Sequence, residues 1–214
     1  MARRAITVQE LLNRKYREAE FEGEWLDHVG RPELTGVWFI WGNSGNGKTR
    51  YALQLAEYLS QFVHRIGYNA LEERGRKSIR DAIVDSGLAG NKRFQVYEGE
   101  TLEELDERLS KKKSADVVFI DSIQYFKCNN KRVSSLAFKE LTTKHSNKLF
   151  VVISHAKGKI PKGNTADDIY YDADLKVWIE GFKATPKSRF GGKKPYIIWE
   201  EGALEVWGTL DNAG

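Results

Sequence analysis

Gly42, Gly47, Lys48 and Thr49 stand at the spacing G-x-x-x-x-G-K-T, and this run constrains the fold more than any other feature of the chain. It lies between an apolar run, Val37–Trp41, which reads as a buried strand, and Thr49–Phe62, where Leu53, Leu55, Ala56 and Leu59 carry helical spacing. A strand feeding such a loop and then a helix wraps one phosphate in consecutive backbone N–H groups and points the positive helix end at it. Gly42, Asn43, Ser44, Gly45, Asn46 and Gly47 are therefore expected to cradle a nucleotide's phosphates, with Lys48 on the outer phosphates and the Thr49 hydroxyl on Mg²⁺. Arg50 is counted with the same set, although its side chain is expected to point off the first helical turn.

With 214 residues and 41% hydrophobic content, the chain can bury one α/β core. The net charge of +4 is compatible with nucleic acid without arguing for it. Cys128 is the single cysteine, so an internal disulfide and a cysteine-based zinc site are excluded, and four scattered histidines offer no metal cluster. No stretch approaches a membrane span and the start lacks a secretory apolar core, so a soluble, cytoplasmic protein with no membrane partner is expected.

Taken in order, Thr7 and Glu10 form a capping box that opens a helix of two to four turns. Its face of Val8, Leu11, Leu12 and Tyr16 packs either on its own domain or on a neighbouring subunit. Residues 20–35 read as a connecting loop, which divides the chain into residues 1–35 and a core over 36–214. Strands are expected over 65–70 and 94–97, with helices over 77–84 and, capped by Thr101 and Glu104, from Leu102 to Leu109. Asp116–Ser122 holds four successive apolar residues ending in Asp121, the sign of a central strand with an acid at its C-terminal end, where open α/β sheets place ligands. Asp121 is thus the Walker B acid, binding Mg²⁺ through water. A helix over 133–146 and a strand over 149–154 follow, and then three strand-like runs, 175–180, 196–200 and 204–207, that read as antiparallel.

The ordered pieces GNSGNGKT, ALEE, VVFIDSIQ, ISHAKGKI and Lys187-Ser-Arg189-Phe190-Gly191 resemble the RecA-like ATPases, closest in motif order to the RadA recombination proteins and the ATPase domain of DnaB-type helicases. The resemblance implies a RecA-like P-loop NTPase: a mainly parallel central sheet flanked by helices and extended by C-terminal antiparallel strands. It implies ATP and Mg²⁺ as ligands, ATP hydrolysis stimulated by DNA, and work in recombination, repair or replication as a ring or filament of identical subunits. It places the catalytic base at Glu72, with Glu73 as rival, and a γ-phosphate sensor at His155 or Ser154. Lys187 and Arg189 match basic fingers that enter a neighbour's nucleotide site. Two loops would line a channel for single-stranded DNA: Tyr125, Phe126, Lys127, Lys131 and Arg132 in the first, and Lys157, Lys159 and Lys162 in the second. Lysines and arginines on flexible segments with an aromatic for stacking suit sequence-tolerant binding of a single strand.

The zinc module and protease-like domain of RadA and the helical N-terminal domain of the helicases have no counterpart in the sequence. A bare core of this kind is, by analogy, what phages and mobile elements carry. Two other readings stand beside the motor: a nucleotide-gated scaffold or loader with slow hydrolysis, which the same residues would serve, and a small-molecule P-loop kinase, against which the strands after Asp121 argue.

Overall fold

The computed structural model describes residues 4–210; residues 1–3 and 211–214, the outer ends of the two expected segments, lie outside it. The elements in order are α1 (Val8–Leu12), α2 (Gly23–Val29), β1 (Gly36–Gly42), α3 (Lys48–Leu59), β2 (Ile66–Ala70), α4 (Lys77–Asp85), β3 (Phe94–Tyr97), α5 (Leu102–Ser110) and β4 (Val117–Asp121). After a short 3-10 turn (Ile123–Tyr125) come β5 (Lys127–Cys128), β6 (Lys131–Arg132), α6 (Ser135–Lys144), β7 (Leu149–Lys157), β8 (Ile160–Pro161), α7 (Asn164–Asp172), β9 (Leu175–Glu180), β10 (Lys183–Ser188), β11 (Tyr196–Ile197) and α8 (Glu200–Trp207).

The main sheet runs β11-β10-β9-β1-β7-β4-β2-β3. From β9 to β3 all neighbours are parallel, and β10 and β11 add antiparallel strands. Strand alternation splits the core into two layers. Trp38, Ile40, Tyr68, Phe119, Ile153 and Val177 pack against α2 and α3, while Phe39, Val118, Ile120 and Val152 pack against α5, α6 and α7. Asp121 falls on the α3 side because it follows Val117 and Phe119 at period two.

Several expectations are corrected. The N-terminal helix has its capping box but spans only Val8–Leu12, and Val8, Leu11, Leu12 and Tyr16 are exposed rather than packed on the chain. Residues 20–35 contain α2, and Ala19, Phe21, Val29 and Leu34 join the α3-side core. The second half of the chain departs most. α7 has no counterpart among the expected elements, although Ala166, Ile169, Tyr170 and Ala173 have helical spacing, and it supplies the crossover that makes β9 parallel to β1 instead of antiparallel. Pro186 masks β10 in the sequence; it sits where β10 has lost its β11 partner and no ladder N–H is needed on that side. Leu204–Trp207 belongs to α8, and the expected strand over 196–200 stops at Ile197. A four-residue apolar run does not distinguish strand from helix by period alone.

A buried histidine ties α2 to the nucleotide-side helix. His28 is fully buried, with Nδ1 2.8 Å from the Lys194 carbonyl and Nε2 2.8 Å from the Tyr51 hydroxyl of α3. Burial lowers its pKa from 6.5 to about 4. The unfolded chain therefore takes up this proton first, so the stabilisation is whole above pH 6.5 and is lost as pH falls toward 4. The slope should be about 1.4 kcal/mol per pH unit within that window. Urea unfolding of a His28→Gln variant beside the parent is expected to show this part of the slope missing; parallel pH profiles would contradict it.

Candidate functional site

The C-terminal ends of β1, β7, β4 and β2 form one edge, aligned by the pairings Gly42↔His155, Asp121↔Ile153 and Ala70↔Asp121. The loop from Gly42 to Thr49 crowns that edge. Gly42 is obligatory there, since a Cβ would stand 2.3 Å from the Ile179 carbonyl oxygen. Gly47 has φ +96, and a Cβ on it would meet the Phe182 ring at 2.9 Å. Asn46 braces the loop: its Oδ1 accepts from the Gly181 N–H at 2.7 Å and its carbonyl accepts from the Phe182 N–H at 3.2 Å. Asn43, Ser44 and Gly45 face solvent. Gly47 is the N-cap of α3 without any side-chain cap bond, which leaves the first-turn N–H groups directed into the loop.

Lys48 donates to the Asn43 carbonyl at 2.9 Å, and burial lowers its pKa while the Asp121 and Glu72 carboxylates oppose that shift. The Thr49 hydroxyl donates to Asp121 Oδ2 at 3.1 Å, so the two residues assigned to Mg²⁺ meet across 72 residues of sequence. Asp121 is buried, which raises its pKa, and the Tyr68 hydroxyl donates to the same Oδ2. The donor set of one hydroxyl and one carboxylate is hard oxygen, which fits Mg²⁺ held largely by waters and phosphates. No group of three or more His, Cys, Asp or Glu side chains that could cage a metal exists among the described residues.

Glu72 and His155 also meet: Glu72 Oε2 lies 2.8 Å from His155 Nε2. The rival Glu73 is instead bonded to the Ser78 hydroxyl at the start of α4. Ser154 is buried and accepts from Gln124 Nε2 at 2.9 Å, while Gln124 Oε1 accepts from the His155 N–H at 3.2 Å and Nε2 also reaches the Lys162 carbonyl at 2.9 Å. Gln124 and Tyr68 are the residues that sequence reasoning missed. Nothing local marks Tyr68, whereas Gln124 lies within the quoted run VVFIDSIQ.

The two basic loops are short hairpins rather than flexible segments. β5 and β6 turn through Asn129 and Asn130, both left-handed at φ 49 and 61, as a two-residue turn requires. β7 and β8 turn at Gly158 and Lys159, whose carbonyls accept from Asn43 Nδ2 at 3.3 Å and Trp41 Nε1 at 3.0 Å. Lys127, Lys131, Arg132, Lys157, Lys159 and Lys162 are exposed, and Arg132 and Lys162 line one cavity of about 140 Å³. Tyr125 is exposed and lies edge-on to the His155 ring at 6.0 Å. Phe126 is corrected: it is fully buried in the α5–α7 layer and has no face for a base.

Arg50 lies with its guanidinium 5.3 Å from the centre of the Trp199 ring, and Phe182 meets Trp199 edge-on at 5.0 Å. Lys187 and Arg189 are remote from this edge. Lys187 pairs with Lys176, level with Phe39 at the middle of β1, and Arg189 bonds Asp174 at 2.8 Å beyond it. Lys176 has its pKa lowered by burial and by the positive charges of Arg189 and Lys187. A larger cavity of about 730 Å³ lies between α6 and α7 at the other end of the sheet and contains none of the candidate residues.

This architecture is the RecA-like P-loop fold, a mixed α/β protein with a mostly parallel central sheet and flanking helices. The solved ATPase domain of a DnaB-type helicase is similar over 79% of this chain and 84% of its own, with a TM-score of 0.56 at 12% identity. The KaiC-like protein PH0186 from the hyperthermophilic archaeon Pyrococcus horikoshii OT3 is similar over 77% of this chain and 85% of its own, with a TM-score of 0.56 at 17% identity. No family model matches the sequence, and no curated protein matches it either. Among the described residues no helix is long and apolar enough to cross a membrane.

Proposed function

We propose that the protein binds and hydrolyses ATP and couples this to single-stranded DNA as an assembly of identical subunits. The observation that carries the ATPase reading is the convergence of Lys48, Thr49, Asp121, Glu72 and His155 on one sheet edge around an uncapped helix start. Lys48 and the loop N–H groups would bind the β- and γ-phosphates. Thr49 and Asp121 would hold Mg²⁺, which when bound neutralises charge on the phosphate oxygens. Glu72 would take the proton of the attacking water, and His155 orients that carboxylate. Trp199 and Arg50 offer an aromatic and cationic face beside the loop for the purine.

The hairpins support the DNA reading. Their exposed cations stand on the nucleotide's own edge, and Gln124 and Asn43 join them by hydrogen bonds to the sensor strand and the phosphate loop. The place of Lys187 and Arg189, about 10 Å or more along the strands from Gly42, supports action on another subunit's nucleotide instead of the chain's own. ATP turnover measured with and without single-stranded DNA tests the coupling. A several-fold stimulation that disappears in a Lys131→Ala, Arg132→Ala double variant is expected, and unstimulated turnover together with no DNA binding would remove DNA from the proposal.

A further inference from the structure

Tyr68 carries an oxygen that packing does not require. Its ring is fully buried, stacked on Phe119 at 5.6 Å with 20° between the planes and tilted against Phe94 at 5.9 Å. Phenylalanine would fill that space equally well, and a buried hydroxyl without a partner costs about 1–3 kcal/mol. The hydroxyl is therefore explained by its one side-chain acceptor, Asp121 Oδ2. The register makes the contact possible. Tyr68 pairs with Phe119 and Ala70 pairs with Asp121, so the phenol reaches diagonally across two neighbouring strands on one face, a distance only a long side chain spans.

Oδ2 thus receives two hydroxyls, from Thr49 at 3.1 Å and from Tyr68, while no side-chain donor among the described residues reaches Oδ1. A carboxylate offers about four lone-pair sites, and this arrangement commits one oxygen and leaves the other to face the loop. The geometry points to Tyr68 as a positioning residue for the metal: by fixing Oδ2 it sets the rotation of the Asp121 carboxylate, so that Thr49 and Oδ1 present a preformed pair of oxygens to hydrated Mg²⁺. The inference rests on the reading of Thr49 and Asp121 as the Mg²⁺ residues. Outer partners of metal ligands generally change metal affinity about 10- to 100-fold when removed, and Tyr68 satisfies that description without touching the nucleotide.

The test is a Mg²⁺ titration of fluorescent ATP-analogue binding by the parent, Tyr68→Phe and Asp121→Asn proteins, with Mn²⁺ binding followed by electron paramagnetic resonance. In Tyr68→Phe the Mg²⁺ concentration at half-saturation is expected to rise about 10-fold, while metal-free binding of the analogue and the melting temperature without metal stay near parental values. A rise in Asp121→Asn with no rise in Tyr68→Phe overturns the role of Tyr68 and leaves the metal assignment standing. No rise in either variant overturns the metal assignment itself, and the role of Tyr68 with it. A Tyr68→Phe protein that loses its fold without metal shows the phenol to be structural and also overturns the inference.

Discussion

Lys48→Ala is expected to weaken ATP binding at least about a hundredfold, the largest effect on affinity of any single change in the chain. The ammonium is partly withdrawn from water, as its lowered pKa shows, and lies within the influence of the Asp121 and Glu72 carboxylates. Bound phosphates would draw it from the Asn43 carbonyl into charge-assisted hydrogen bonds, each contributing about 1.5–3 kcal/mol, and two of these correspond to more than two decades of affinity. Calorimetric titration with a non-hydrolysable ATP analogue measures it directly. Affinity within a few-fold of the parent would remove the phosphate loop from the nucleotide site, whatever the sequence pattern says.

Glu72→Gln is expected to leave nucleotide affinity within a few-fold and to lower kcat by roughly 10²–10⁴, the range a positioned general base supplies. The amide fills the same space beside His155 but cannot accept the proton of water. Glu73 is a poor substitute because its carboxylate is engaged by Ser78. Single-turnover hydrolysis alongside equilibrium binding separates the two effects, and unchanged turnover would take the base role from Glu72. The same variant addresses the fingers. Mixed with Arg189→Ala subunits, it should regain part of the lost turnover where one intact Glu72 faces one intact Arg189; a verified mixed oligomer with no recovery would argue against action across subunits.

The fold is legible in the first half of the chain because its signals are local. β1 through β4 and their helices follow from contiguous apolar runs, capping residues and helical spacing, and β3 and α5 fall within a residue of expectation. The second half is less legible for a specific reason. One helix, α7, decides the direction of β9, so a local omission becomes an error of topology. The basic hairpins show the same limit. Charge and turn residues mark them, but only burial separates Tyr125, exposed beside His155, from its neighbour Phe126, which fills the core.

By itself the sequence determined that a strand, a glycine-rich loop and a helix come together over Val37–Phe62, and that Asp121 ends a buried strand. Both are patterns of contiguous residues, where backbone geometry and alternation leave few choices. Tertiary structure alone decided that Glu72 faces His155, that Thr49 and Tyr68 share one oxygen of Asp121, and that Arg189 stands away from its own phosphate loop. These depend on the strand order β1-β7-β4-β2 and on registers between segments separated by about 50 to 83 residues. A one-residue slip in any of those pairings would turn the side chains to the opposite face of the sheet, and no local pattern in the chain specifies it.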